Sequence, residues 1–436
     1  GGLPSSWSAA LDQACMGEGG TEKLICVSAG NLRDQIREHS FRYPMLDDPT
    51  CGVEDPGQAW NVLTVGAMTD RFDLGDDWIT EDYRPIAAPG DLSPTSRVSL
   101  AWPENARDKW PHKPDIVMEG GNWAEGPGER CPTDDLGLLT TTLHPTGRLL
   151  TITHDTSPAT AAAARLGARI FARYPTLRPE TVRGLMVHSA RWTAAMTRRF
   201  PGASKGATQT RLRCYGFGVP NEQRALYSAE SHATMLFEGH IRPYRDDSGT
   251  IKTNEMHVHE LPWPKQALEQ LAHAVVRLRV TLSYFIEPSP GRRGWTHKHR
   301  YASHGLRFEV FRPTESEQQF LTRISSALLD EDEPGAFDNI GPSQELPWVV
   351  GPRGRTRGSL HSDWCETTAA NLLLCNKIAV FPVTGWWRER KHLERWGNLA
   401  PYSLIVSLET DSEDVDLYTE IKTAITQPIP IGVPRG

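Results

Sequence analysis

Long apolar runs are missing from this 436-residue chain, and none approaches the 18 or more consecutive apolar residues that a bilayer-crossing helix needs. A membrane-spanning protein is excluded on that reading. Blocks of like charge are missing too: 47 basic and 54 acidic residues are interspersed to a net of -7, which leaves no footprint for nucleic acid or an anionic membrane surface. The expected partner is a protein or peptide. Cysteine is scarce and odd in number, seven in all, at positions 15, 26, 51, 131, 214, 365 and 375. With no CxxC pair and no Cys/His cluster at zinc spacing, neither a disulfide framework nor a structural metal is expected. Free thiols in a reducing cytoplasm are the simplest expectation, and the opening residues GGLPSSWSAAL lack the basic and then apolar text of a signal peptide. No internal repeat or low-complexity tract appears.

What is present divides near residue 228. Up to that point short apolar strands alternate with helical patterns, the text of an α/β domain with a parallel sheet. Ser6 to Cys15 reads as a helix, and Leu24 to Ser28, Asn61 to Ala67 and Asp115 to Met118 read as strands covered on both faces. Pro158 to Tyr174 reads as the main helix, with Ala159, Ala163, Leu166 and Ile170 on one stripe and Arg165, Arg169 and Arg173 on another. Its expected N-cap is Ser157, with Pro158 at the first helical position. A further helix starts near Pro179, with Val182, Leu185 and Met186 facing inward.

From 229 to 436 the period changes to two. Val276, Leu278, Val280, Leu282 and Tyr284 alternate with Arg277, Arg279, Thr281 and Ser283, which predicts a half-buried strand. Leu306, Phe308 and Val310 repeat the pattern, as do Tyr402, Leu404, Val406 and Leu408, so a β-sandwich or jelly roll is expected. The acidic text at 330–335 and GPRGRTRG at 351–358 read as loops.

Serine acyl transfer needs a nucleophile on a turn, donors aimed at the developing oxyanion, and a histidine oriented by a carboxylate. Two of these parts are visible. HDTSPATAAAARLGARIFARYP sets Ser157 at the mouth of a long helix, where the macrodipole and free N–H groups favour negative charge. LICVSAGN ends a strand with Ala29, Gly30 and Asn31, small residues followed by an amide that can donate to an oxyanion.

The order and spacing of these segments resemble the subtilisin-like serine proteases. GGLPSSWSAALDQA resembles the segment leading to the oxyanion strand, VSAGN the family's AAGN, and NVLTVGA its next core strand. KPDIVMEGG is similar to KPDVVAPG, TSPATAAAARLGA to TSMATPHVAG, and YGFGVPN to the turn that closes the catalytic domain. These matches run through residues 1 to about 228 in the family's order. The resemblance implies Ser157 as nucleophile, Asn31 as oxyanion donor, and Thr156 together with the Ser157 backbone N–H as supporting donors. It also implies that Gly1, Gly2, Ala29 and Gly30 border the cleft, that Leu32 shapes the pocket for the side chain before the cut, and that Asp155 bears on specificity. No organic cofactor is implied; the family often binds calcium through loop carboxylates and carbonyls, and no Asp-rich loop with EF-hand spacing places one here.

The sequence also departs from the pattern. The family's Gly before Thr-Ser is Asp155, beside His154, and the Pro inside the nucleophile helix is Ala161. EGGN at 119–122, the β-rich tail and GSLHSDW at 358–364 resemble a bacterial, cytoplasmic branch encoded beside an AAA-type ATPase in anti-phage defence operons. An acid and a base in family context do not precede Asn31, so they are expected on an N-terminal segment outside this sequence or on a separate chain. Asp247-Ser248-Gly249 imitates the acid motif but reads as a surface turn. His154 reads as lining the site, His188 as a packing residue, and His257 with His259 as a strand pair rather than metal ligands. Trp364, Trp386, Trp387 and Trp396 read either as packing or as a docking surface for the ATPase. The alternative to a protease is a binding scaffold on the same fold.

Overall fold

The computed structural model describes residues 2–17, 20–46, 48–104, 110–143, 146–227, 232–291, 295, 297–330, 346–412, 417 and 429–432. Its contacts divide the chain into two compact units. The first gathers Gly1–Leu11, Leu24–Leu177 and Ser189–Ala225; the second gathers Asp12–Lys23, Arg178–His188 and Leu226–Gly436.

Helix α1 (Ser6–Met16) is entered through Ser5, whose hydroxyl accepts the backbone N–H groups of Trp7 and Ser8. The first unit is then built on strands β1 (Cys26–Ser28), β2 (Leu63–Thr69), β3 (Asp91–Leu92) and β4 (Ile116–Glu119). β1 and β4 flank β2 in parallel, with Val27 opposite Thr64 and Ala67 opposite Met118, while β3 joins the end of β2 antiparallel. Every residue of β2 is buried, which is why its text is apolar without alternation. An ion pair is buried with the sheet: Lys113 Nζ lies 2.7 Å from Asp115 Oδ2, which also accepts the Thr64 N–H at 2.7 Å and so pins β2 to the entrance of β4.

A hairpin of β5 (Leu138–Thr141) and β6 (Leu150–Thr153) leads into helix α2 (Thr156–Arg173). Ala159, Ala163, Leu166, Gly167 and Ile170 make its buried stripe, at the three-and-four spacing of one helix face. Small residues at three of those five places let the helix sit close to β1, β2 and β4. Arg165 and Arg169 point away and pair with Glu222. The mixed α/β architecture with a parallel sheet is therefore as expected, with strand ends moved by no more than two residues.

In the second unit, helix α3 (Pro179–Ser189) accompanies two four-stranded antiparallel sheets. Strands β7 (His232–Ile241), β8 (Glu255–Glu260), β9 (Val275–Tyr284), β10 (Gly305–Val310), β11 (Leu360–Thr368), β12 (Lys377–Val383), β13 (Ala400–Thr410) and β14 (Ile429–Gly432) are dealt alternately to the two. One sheet has the order β7-β13-β9-β11 and the other β10-β12-β8-β14.

The expectation that β9 is half-buried fails, because its polar face is covered by α3. His188 bonds Thr281 Oγ1 at 2.9 Å and Ser407 Oγ at 2.8 Å, and Arg183 donates to the Tyr284 and Ser359 carbonyls at 2.7 and 2.8 Å. Arg279 is buried as well, donating to Ser362 Oγ and stacked on Trp364. Period two in sequence thus records a hydroxyl-rich face that meets a helix instead of water. The GPRGRTRG loop includes a short 3-10 turn at Gly354–Thr356. The acidic loop lies, from residue 331 on, outside the described residues.

Candidate active site

Helix α2 starts two residues earlier than its sequence suggests. Asp155 is its N-cap residue, so Thr156, Ser157 and Pro158 are its first three residues; proline is tolerated there because first-turn N–H groups lack intrahelical partners. The cap comes from far away in sequence. Asn31 Oδ1 accepts the Thr156 N–H at 3.0 Å and the Thr156 hydroxyl at 2.7 Å. Since a backbone N–H only donates, this contact assigns the carboxamide oxygen to Thr156 and leaves its NH2 group on the other branch. Among the described residues no acceptor engages that NH2 group, and the Ser157 hydroxyl, which is exposed, is likewise without a hydrogen bond.

Asn31 is fixed from behind. It forms a bridge with Ser96, the Leu32 N–H donates to Thr95 O at 2.8 Å, and the Arg97 N–H donates to Gly30 O at 3.2 Å. Gly30 has φ +94°, and a Cβ there would lie 2.8 Å from the Arg97 side chain, so both conformation and space call for glycine.

Asp155 is the strained member of the group. Its φ of +84° and ψ of -162° fall in a region that essentially only glycine populates, at a cost of about 1–3 kcal/mol for other residues. This explains the family's glycine in front of Thr-Ser. The side chain that replaces it is buried: Oδ2 accepts from Arg33 Nε at 2.5 Å and Oδ1 from the Thr95 hydroxyl at 2.7 Å. Its backbone N–H donates to Gly120 O at 2.7 Å. Gly120 in turn sits where a Cβ would meet Asp155 O and Ala67 Cβ, both at 2.5 Å. His154 donates from Nε2 to Thr133 O at 2.9 Å, and burial lowers its pKa below the ordinary 6.5.

Several expectations need correction. Thr156 spends both of its donors on Asn31, so it orients the amide and is not itself an oxyanion donor. Leu32 lies in the core with Met68, Leu92 and Val117 and does not shape a pocket. Asp155 is buried, with its carboxylate engaged by Arg33 and Thr95. Ala29 is buried, its N–H donating to Val65 O; Gly2 is buried with φ +90°; and Gly1 lies outside the described residues. Sequence reading missed Arg33, Thr95 and Gly120. Arg33 could have been found from its place two residues after Asn31, but nothing local marks Thr95.

The decoys resolve in the second unit. Ser248 and Gly249, both with positive φ, make the turn of a hairpin between Tyr244–Asp247 and Thr250–Thr253. His257 Nδ1 and His259 Nε2 share the Tyr402 hydroxyl at 2.7 and 2.8 Å. Trp386 and Trp387 are buried, with indole N–H groups on Glu287, and so are packing residues instead of a docking surface. Among the described residues no group of three or more His, Cys, Asp or Glu side chains could hold a metal, and no helix is long and apolar enough to cross a membrane.

Chemically, unit one brings together an exposed hydroxyl on the second residue of an 18-residue helix, the first-turn N–H groups around it, and a carboxamide whose oxygen is tied down. Such an arrangement can stabilise negative charge that develops beside the hydroxyl.

The chain is similar to "Uncharacterized protein y4bN" of Sinorhizobium fredii, 27% identical over 373 residues, which is 83% of this chain and 78% of that one. Among solved structures it is similar to MycP1 from Mycobacterium smegmatis, with 18% identity and a TM-score of 0.24, over 47% of this chain and 42% of that one. It is similar also to the MycP3 protease from the type VII (ESX-3) secretion system, with 16% identity and a TM-score of 0.21, over 47% and 44%. The chain therefore spans less than half the length of either of those two proteins. The sequence model of the subtilase family, Peptidase_S8, matches residues 1–218, half of the chain and the half that holds Asn31, Asp155, Thr156 and Ser157: the chain belongs to the subtilase family.

Proposed function

We propose that the complete protein is a serine endopeptidase in which Ser157 forms the acyl-enzyme and Asn31 holds the oxyanion. The observation that carries this reading is the pair of hydrogen bonds from Thr156 to Asn31 Oδ1, which ties the amide oxygen to the start of the nucleophile helix and leaves the NH2 group to donate to an oxyanion. Oxygen attack on a peptide carbonyl would place the negative charge between Asn31 Nδ2 and the backbone N–H of Ser157. The hydroxyl proton passes to a histidine base and then to the leaving amine, and water later hydrolyses the ester.

Among the described residues no histidine bonds Ser157 Oγ, so the base and its orienting carboxylate are assigned to an N-terminal segment outside residues 1–436 or to a separate chain. Without them Ser157 is a weak nucleophile at neutral pH, and this chain alone is inactive. The second unit, in which strands β7 to β14 are dealt alternately to two four-stranded sheets, is read as a jelly-roll-like sandwich that recognises a partner. The sequence resemblance supports an AAA-type ATPase as that partner, in bacterial cytoplasmic anti-phage defence. A second reading, a non-catalytic scaffold on the subtilase fold, draws on the same unbonded Ser157 hydroxyl.

A fluorophosphonate probe separates the two. Applied to the protein expressed with its upstream coding sequence, it should label Ser157, and Ser157→Ala should remove the label. Unlabelled protein in which an Asp and a His in family context are present would favour the scaffold.

A further inference from the structure

The geometry points to Asp155 as a positioning residue: with Arg33 and Thr95 it clamps the oxyanion loop to the nucleophile turn and so sets the register between Asn31 and Ser157. The inference rests on the protease reading only for its kinetic consequence.

Three independent segments meet at this carboxylate. Arg33 lies two residues after Asn31, Thr95 lies next to the Ser96 that bridges Asn31, and Asp155 lies two residues before Ser157. Asn31 reaches the helix through one amide oxygen, and the backbone bonds that fix it from behind run to Ser96 and its neighbours, not to the helix. The clamp supplies a second tie on each side of it. Asp155 itself is 1% exposed, while Arg33 is 59% exposed, so the buried partner is the one that decides the geometry and the arginine closes over it.

Backbone conformation makes the case sharper. At φ +84° and ψ -162° glycine would be free of strain, so a side chain is kept here against the local preference. If the carboxylate only stabilised the fold, replacing it with glycine would cost its hydrogen bonds and recover the strain, for little net change. If it positions the site, the same replacement relaxes the backbone and loosens Asn31.

Hydrogen exchange at the Thr156 amide reads the register whether or not the protein turns over, because that N–H is donated to Asn31 Oδ1. In the full-length protein, Asp155→Gly should leave the thermal midpoint unchanged or raised and speed exchange at Thr156 by about tenfold or more, with Leu63–Thr69 unaffected. It should lower kcat by roughly 10- to 100-fold with KM nearly constant, the expected cost of slight misplacement. Arg33→Gln should act in the same direction, and Arg33→Gln with Asp155→Gly should be no worse than Asp155→Gly alone. Asp155→Asn, which keeps an acceptor oxygen, should restore part of both signals. Unchanged exchange at Thr156 in Asp155→Gly, or effects that simply add, would overturn the clamp. Faster exchange in a protein whose Ser157 is never acylated would instead overturn the protease reading and leave the clamp standing.

Discussion

The protease reading gives Asn31 two tasks with one planar group, and chemistry can separate them. Its oxygen holds the start of helix α2 through Thr156, while its NH2 group is the donor that the protease reading assigns to the oxyanion. Asn31→Asp keeps the first and removes the second, so the helix should remain capped while kcat in the full-length protein falls by about 10²- to 10³-fold, the usual cost of a lost oxyanion donor. Asn31→Leu removes both and should add a fall in thermal midpoint. Equal midpoints for the two variants would show that the Thr156 contacts do not cap the helix. Asn31 and Ser157 could be named beforehand from their small-residue and helix-start contexts taken together with the family resemblance, whereas the Thr156 contacts could not. Asp155 was legible only as an oddity, because its meaning lies in a backbone angle and in a threonine 60 residues away.

The strands and helices were readable wherever one face of an element repeats an apolar residue, as in α2, and where apolar text is continuous, as in β2. What could not be read is which surface covers a polar face. The serines and threonines of β9 alternate as a solvated strand would, yet they meet Arg183 and His188 of α3. Packing of this kind also makes single atoms matter. Gly120 touches both the sheet and the Asp155 carbonyl, with no room for a Cβ. Gly120→Ala should therefore destabilise the first unit by about 1–3 kcal/mol through overpacking. A denaturant midpoint would show this, with the slope unchanged. A midpoint equal to that of the parent would mean that β4 can retreat from the nucleophile turn at no cost.

The molecule as a whole carries a response to acid that composition does not reveal. Burial lowers the pKa of both His259 and His304 from 6.5 to about 3. His304 is packed between Trp387 and Tyr284, and His259 lies against Phe237 and the Tyr402 hydroxyl. In the unfolded chain both protonate near 6.5, so between that pH and about 3 the unfolded state binds more protons. Their contribution is complete above pH 6.5 and is lost as pH falls through that window. Urea midpoints measured from pH 7 to pH 5 should decline accordingly, and the decline should be shallower in His304→Gln; an equal slope in the variant would remove His304 as a cause. The arrangement of α3 has a practical corollary for anyone dissecting this polypeptide. A truncation at residue 218 would retain the helix yet discard the hydroxyls and carbonyls into which Arg183 and His188 are plugged. The amputated piece would carry a guanidinium and an imidazole stripped of their sockets, which makes the family boundary a poor place for scissors.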